Sequence, residues 1–581
     1  MDKALEMGKS SATGSFHLLL GVAGSTIIMA VGTIFLGMLL PAEGVGLYGM
    51  ALIPSSIINF FRDWGVNSAM TKQIAGLRVA GKDSEIHDVI VSGVIFELLS
   101  GIFLSVVCFA VAQPIAWIMS PQDASQLSLY ISVMSLSVFA GAISAAAGGI
   151  FVGYERMKLN SFTQIFAAVI KTALGPLLIV LGFGVLGAVY AAMISILAGG
   201  IISIVIVYYA LYRPLRRCRV GKCDVKQTLK PMLKFGLPLT VSTIVIGVLP
   251  LVFALTMGIY AGAGDVAAGN PYGWTMGNYF TATNFTVILT FVSFPVATAL
   301  FPVFSKINPE KEPELVKTVF SSSVKYTALL LVPATMMLIT LATPLVNTLF
   351  PQDGIIHSMF TPDATPKFPL APIFLALSAT VNLFVLFGNI SLGTFQSGIG
   401  QTKQIMKQSG LSLAVGLPLA YFLVAFAYSM GGSDGQVAAT YAVIGGLVGA
   451  LVASMPGMIW GLVWSWKHYK VKADFAISAK IFGAALIASA VAYLLISLVR
   501  WPYIVTLFAG LIVFLLVYLA MAPLLGAVNS MDIENFRAMF SGSGIVSKFL
   551  HLPLSYMQKL CRSKFEKKLP TEPAANQIDK P

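Results

Sequence analysis

The chain is a succession of mostly apolar runs of about 20 residues or more, separated by short polar breaks, and this recurrence constrains its folding more than any motif. Runs of that length match helices crossing a hydrocarbon core about 30 Å thick, and they lack the alternation of a membrane barrel. With 57% hydrophobic and 10% charged residues, the sequence describes an all-α polytopic membrane protein. Fourteen transmembrane helices are expected, beginning near residues 15, 45, 89, 126, 159, 185, 235, 277, 318, 369, 405, 437, 477 and 502.

Charge tests that count, because adding or deleting one span would scramble the side on which every later loop falls. With a cytoplasmic start, all but four of the 37 Lys and Arg fall on the inner side; Lys367 and Arg500 lie outside, Lys171 and Lys325 within spans. Both termini are then cytoplasmic and the protein sits in the cell (plasma) membrane. The net charge of +13 lies at the inner face, where anionic lipids attract it, and no nucleic acid is needed to explain it. The first apolar run reads as a retained helix rather than a signal peptide.

The chain divides into an N-terminal six-helix lobe (1–210), a basic cytoplasmic linker (211–234), a C-terminal six-helix lobe (235–466), two further helices (467–525) and a basic amphipathic tail (526–581), partly disordered. A repeat supports the division. "GIFVGYERMK" follows the fourth span and "GTFQSGIGQTK" the tenth, and each precedes a helix with a Gly/Pro pair, "LGPLL" and "VGLPL". Cys218 and Cys223 in the linker have no His or further Cys nearby, so no metal site is expected.

Ionised groups within spans are costly and mark cavities or ion pairs, which makes them the best functional candidates. Lys171, in "FAAVIKTALGPL", lies near mid-membrane, too deep for easy snorkelling. Its functional reading is a cavity cation that attracts an anionic group and releases it again; the alternatives are an ion pair with Glu97 or a neutral buried amine. Lys325 and Arg62 are further cavity candidates, Arg62 also serving as an inner-surface anchor beside Asp63. Glu97 is a coupling or ion-pair candidate, and lies 228 positions before Lys325, near the repeat offset. Asn284 in "NYFTATNFT", and Asn389 with Asn382 and Gln396 on the tenth span, are candidates to hydrogen-bond a polar substrate from the cavity wall or to hydrogen-bond between helices.

Several segments resemble the polysaccharide flippases (Wzx type) of the multidrug/oligosaccharidyl-lipid/polysaccharide exporter (MOP) superfamily. They are "GVGLYGMALIPSSIINFFRDWGVNSAMTKQIA", "GYERMKLNSF", "LKFGLPLTVSTI", "LFPVFSK" and "GIGQTKQIMKQSGLSLAVGLPLAYFLV". The resemblance implies two pseudo-symmetric six-helix lobes around a central cavity plus two extra C-terminal helices. It also implies a transporter, with no catalytic residues and no cofactor, that flips a polyprenyl-(pyro)phosphate-linked oligosaccharide to the outer leaflet by alternating access. The expected partners are that lipid-linked glycan, anionic lipids, and glycan-assembly enzymes at the tail.

Rival readings stay open. A cation-coupled multidrug exporter of this fold would place an acidic residue in the first or seventh span, and neither has one. A lipid-linked peptidoglycan precursor flippase would carry cations in the first span. A membrane glycosyl polymerase would need clustered acid, base and phosphate-holding groups in its outer loops, which these short loops lack, and no P-loop appears for direct ATP coupling.

Overall fold

The computed structural model describes residues 2–215, 224–352, 365–499, 501–540 and 553–561. Cys218, Cys223, Arg500 and most of the tail beyond 540 lie outside the described residues. Among the described residues fourteen helices stand where the fourteen apolar runs predict them. They are α1 (Asp2–Leu39), α2 (Ala42–Phe60), α3 (Asp83–Ala110), α4 (Ala124–Gly153), α5 (Met157–Leu178), α6 (Gly184–Val207) and α7 (Val225–Ala267). Then follow α8 (Trp274–Lys306), α9 (Pro313–Thr340), α10 (Ala371–Phe387 and Asn389–Gly398), α11 (Thr402–Met430), α12 (Gly435–Tyr469), α13 (Phe475–Leu498) and α14 (Tyr503–Leu524).

Length and hydropathy alone pick out ten spanning stretches, or eleven with the two halves of α10 taken as one. One of these, Met157–Leu215, runs for 59 residues, far more than a single crossing requires. It holds both α5 and α6: the chain reverses at Gly182, whose φ of 94° suits glycine, and Ala167 then faces Gly199 while Leu178 faces Gly187. Helix α2 and the first half of α8 are less apolar than these stretches. Both carry polar residues, of which Ser56 on α2 and Thr283 and Asn284 on α8 face the space between the lobes. Helix α10 bends by 57° at Gly388, whose φ of 89° ends its first half.

Corresponding helices pack in corresponding pairs, so the duplication is visible in three dimensions. α1 lies on α5 as α7 lies on α11; α3–α4 matches α9–α10, α5–α6 matches α11–α12, and α2–α4 matches α8–α10. Helices α13 and α14 pack on each other, and α13 rests on α9.

The two lobes meet most closely at the end where α1 gives way to α2, the end poor in basic residues. There α2 crosses α8 at glycines. A Cβ on Gly46 would stand 1.9 Å from the Gly273 carbonyl oxygen, and one on Gly277 only 1.8 Å from that of Ala42, so no larger residue fits this crossing. At the opposite, basic end the lobes touch again, where the Thr240 hydroxyl on α7 donates to the Asp63 carbonyl at 3.0 Å.

Candidate functional site: a cavity between the lobes

A cavity of about 320 Å³ lies between these two seams, walled by α1, α2 and α5 of the first lobe and α7 and α8 of the second. Its polar lining includes Thr33, Tyr48, Lys171, Tyr279, Thr283 and Asn284. Lys171 is its charged lining residue, and no carboxylate lines it.

Local sequence explains how α5 delivers that ammonium. The Thr172 hydroxyl donates to the Ile28 carbonyl at 2.9 Å, fixing the rotation of α5 against α1 and turning the neighbouring Lys171 toward the lobe interface. Lys171 begins about 14 residues into the helix, so its Cα sits ~21 Å along the axis. Its Nζ stands 6.0 Å from the ring centroid of Tyr48, at the outer limit of cation–π attraction. Among the described residues no carboxylate lies within 4.0 Å of it. A cation with an aromatic neighbour and several hydroxyl and amide groups can hold an anion beside polar, ring-shaped groups.

Glu97 does not pair with Lys171. It is fully buried and makes an ion pair with Arg62, whose Nη1 donates to Glu97 Oε2 while its Nε donates to Asn59 Oδ1 at 2.8 Å. Arg62 lies in the turn that follows α2 and reaches inward along α3, so both charges are spent within the first lobe, away from the cavity lining. Among the described residues the other carboxylate oxygen of Glu97 has no hydrogen-bond partner.

Lys325 also lies away from the cavity. Its Nζ is 2.6 Å from Asp532 Oδ2, and the neighbouring Tyr326 hydroxyl reaches Asp532 Oδ1 at 3.3 Å. Asp532 belongs to α15 (Ser530–Phe540), the first helix after the spans, and this face of α9 is covered by α15 and by the short helix at 553–561. The amphipathic tail is therefore packed in part against α9 and α14: Ile533, Leu554 and Met557 are buried there with Leu329, Phe514 and Tyr518.

The amide candidates divide. Asn284 lines the cavity with Lys171. Asn389 is exposed at the bend of α10 and lines a second space of about 320 Å³ with Gln408, Ser412 and Ser454; Pro250 of α7 borders both spaces. Asn278 and Gln396 are structural. Asn278 Oδ1 accepts from the Leu370 and Ala371 backbone amides, capping α10, and Gln396 joins Ser465 of α12 to Gln408 of α11. The Asn382 side chain donates to the Ala379 carbonyl of its own helix at 3.1 Å.

Sequence reasoning passed over Tyr48 and Thr33, which line the cavity beside Lys171 from two other helices of the same lobe and which nothing local in the sequence connects to it. It also passed over the role of Lys367. This lysine donates to the carbonyls of Gly37 and Met38, at 2.9 and 2.8 Å, so it caps the last turn of α1 from the other lobe. Burial lowers its pKa from the ordinary lysine value, and Glu43 opposes that shift. Nearby, the Tyr272 hydroxyl donates to the Met119 carbonyl, again across the lobes, and burial raises its pKa, aided by the charges of Asp265 and Asp123. These contacts close the charge-poor end.

Comparison with known proteins places this arrangement. Stage V sporulation protein B of Bacillus subtilis (strain 168) is 27% identical over 289 residues, 47% of this chain and 54% of that protein, so the likeness spans about half of that relative's length. The structure of the lipid II flippase MurJ in an inward closed conformation matches with a TM-score of 0.65 at 14% identity, covering 87% of this chain and 98% of that one. An inward-facing multidrug resistance MATE family transporter of the MOP superfamily matches with a TM-score of 0.59 at 18% identity, covering 77% and 95%. At such identities the structural likeness establishes the fold, the fourteen-helix frame of these transporters. Residues 11–308, half of the chain, match the polysaccharide biosynthesis protein family, and the chain is a multi-pass membrane protein that belongs to it.

Proposed function

We propose that the protein flips a polyprenyl-(pyro)phosphate-linked oligosaccharide from the inner to the outer leaflet by alternating access, and makes or breaks no bond in doing so. The observation that carries this reading is Lys171, an ammonium with no carboxylate partner among the described residues, in a cavity shared by two lobes of a transporter fold. A lysine acts as a point charge, so it can draw a phosphate into the cavity and let it leave. Tyr48, Tyr279 and Asn284 supply the aromatic and amide surface that sugars pack and hydrogen-bond against. The basic end is the cytoplasmic one in this reading, following the distribution of Lys and Arg.

Coupling to a cation in the manner of a drug exporter finds no support in the cavity, where no carboxylate stands among the lining residues. Glu97 is the nearest candidate for coupling, and its carboxylate is engaged by Arg62. Transport to the outer leaflet requires the charge-poor seam to open. The separable contacts there are the Lys367 cap, the Tyr272 hydrogen bond and the α2–α8 crossing.

The test is reconstitution into liposomes with a fluorescent lipid-linked oligosaccharide, with a lipid-linked peptidoglycan precursor and a lipophilic cation assayed in parallel. The wild type is expected to move the oligosaccharide. Lys171→Ala is expected to lower the rate roughly tenfold or more, the loss of one charge-assisted contact, while the melting temperature stays near that of the wild type. Protein-dependent movement of the peptidoglycan precursor or the cation, without movement of the oligosaccharide, would assign the protein to one of the other branches.

A further inference from the structure

The connection from α12 to α13 has a pattern that no crossing helix needs. Val471 and Ala473 are buried beside Phe304, Phe320 and Phe395, whereas Lys470 and Lys472, alternating with them, are exposed. That is the period of an extended segment, and it puts two lysines on one face. Lys470 itself has a φ of 55°, an uncommon conformation for a side-chain-bearing residue; its amide caps α12 by donating to Trp466, and its Nζ lies 5.2 Å from the Trp466 ring. On α9, Lys317, Thr318, Ser321 and Ser322 fall at spacings of one, four and five, hence on one side of the helix.

These two faces border a cleft of about 570 Å³ at the basic end. The carboxylates around it are already engaged. Glu314 pairs with Lys317 at 2.6 Å, and Asp474 accepts from the Ala476 and Ile477 amides, capping α13. Among the described residues no carboxylate lies within 4.0 Å of Lys470 or Lys472. Beside the cleft Phe475 is 57% exposed, with Phe387, 42% exposed, at a ring separation of 6.2 Å. Two ammonium groups without a carboxylate among the described residues, two serine hydroxyls and an exposed aromatic pair meet at the end of the spans, while the Thr318 hydroxyl beside them donates to the Glu314 carbonyl at 2.9 Å.

We propose that this cleft binds the phosphate of an anionic phospholipid headgroup, with Lys470 and Lys472 supplying charge, Ser321 and Ser322 supplying hydrogen bonds, and Phe475 with Phe387 lying along the chains. Because α9 belongs to the second lobe and the lysines lead into α13, the bound lipid joins the appended helices to that lobe. The site is separate from the Lys171 cavity and does not rest on the transport reading.

The test uses the full chain, purified in detergent, and native mass spectrometry with added phosphatidylglycerol, phosphatidylcholine or inorganic phosphate. Phosphatidylglycerol is expected to be retained roughly tenfold or more above phosphatidylcholine. A Lys470→Gln/Lys472→Gln variant should bring retention down to the phosphatidylcholine level, and Lys470→Arg/Lys472→Arg should restore it, which separates lost charge from lost fold. Equal retention by the wild type and the glutamine variant would overturn the proposal. So would displacement of the lipid by an equal concentration of inorganic phosphate, which would make the free anion the occupant.

Discussion

Glu97 on α3 and Lys325 on α9 sit on corresponding helices of the two lobes, 228 positions apart; Glu97 is buried and Lys325 half-buried, and each has a charged partner. They are neutralised in different ways. The first lobe closes its pair internally, through Arg62 at the end of α2, whereas the second borrows Asp532 from the segment that follows α14. The difference teaches that the repeat fixes where helices pack but leaves each lobe to settle its own electrostatics. It also makes the tail's first helix part of the second lobe. A similar divergence separates α5 from α11. Aligning the glycines of "LGPLL" and "VGLPL" sets Ser412 opposite Lys171, so the ammonium that faces the shared cavity belongs to one lobe only.

The largest effect should come from breaking the internal pair. Glu97→Ala leaves the Arg62 guanidinium buried without its counter-charge, which costs about 3–5 kcal/mol. The Arg62→Leu/Glu97→Leu double variant removes both charges and should melt closer to the wild type than Glu97→Ala does. Thermal unfolding of the detergent-purified chain measures this, and a double variant less stable than the single would mean that Glu97 is held by something other than Arg62.

Breaking the borrowed pair should cost less. Lys325→Met is expected to destabilise by about 1.5–3 kcal/mol, the range for hydrogen bonds to charged groups, because Lys325 keeps some contact with solvent and Asp532 also accepts from the Asn529 amide at 2.8 Å. The sharper readout is local. Hydrogen exchange across α15 should quicken in Lys325→Met and stay unchanged in Glu97→Ala, if the second lobe alone depends on the tail.

These pairs also mark the limit of what the sequence could say. Unlike the shorter helices between them, Val66–Val79, Ala112–Met119 and Ala342–Leu349, the fourteen long helices were legible, because an apolar run and its bounding Gly, Pro and charged residues are local properties. So was the depth of Lys171, which is a count along a helix. Its direction was not, since the rotation of α5 is set by its seat on α1, through the Thr172 bond and the close approach of Gly21 to Ser161 and Gly32 to Thr172, and these partners are more than 130 residues away in the chain. The partner of Glu97 was misjudged for a related reason. Arg62, 35 residues earlier and next to Asp63, reads as a surface anchor, and its length lets it reach inward from a position outside the helix. Asp532 lies 207 residues beyond Lys325 in a segment whose composition suggests a loose interfacial helix, so nothing local connects the two.

The smallest effect concerns the seam by which the lobes hold each other at the charge-poor end, where one lobe's lysine caps the other lobe's helix. Lys367→Gln shortens that cap and removes its charge, and it should change global stability by less than about 1 kcal/mol, since two hydrogen bonds at a partly exposed site are weakened rather than orphaned. Its effect on opening has a sign that pH exposes. Burial against α1 lowers the Lys367 pKa from the ordinary 10.5, with burial the larger cause and Glu43 opposing. A group whose pKa is lowered in the closed state binds its proton less tightly there than when the seam is open and the ammonium is hydrated. Raising the pH through the lowered pKa toward 10.5 therefore favours the closed seam: the neutral amine still donates to the Gly37 and Met38 carbonyls and no longer carries the cost of leaving water. Spin labels placed at Gln122 and Ala268, on opposite lobes, should report a distance distribution that shifts toward the short, closed distance as pH rises in the wild type. Lys367→Gln should abolish that pH dependence, and a shift of the same size in the variant would assign the titration to another group at the seam.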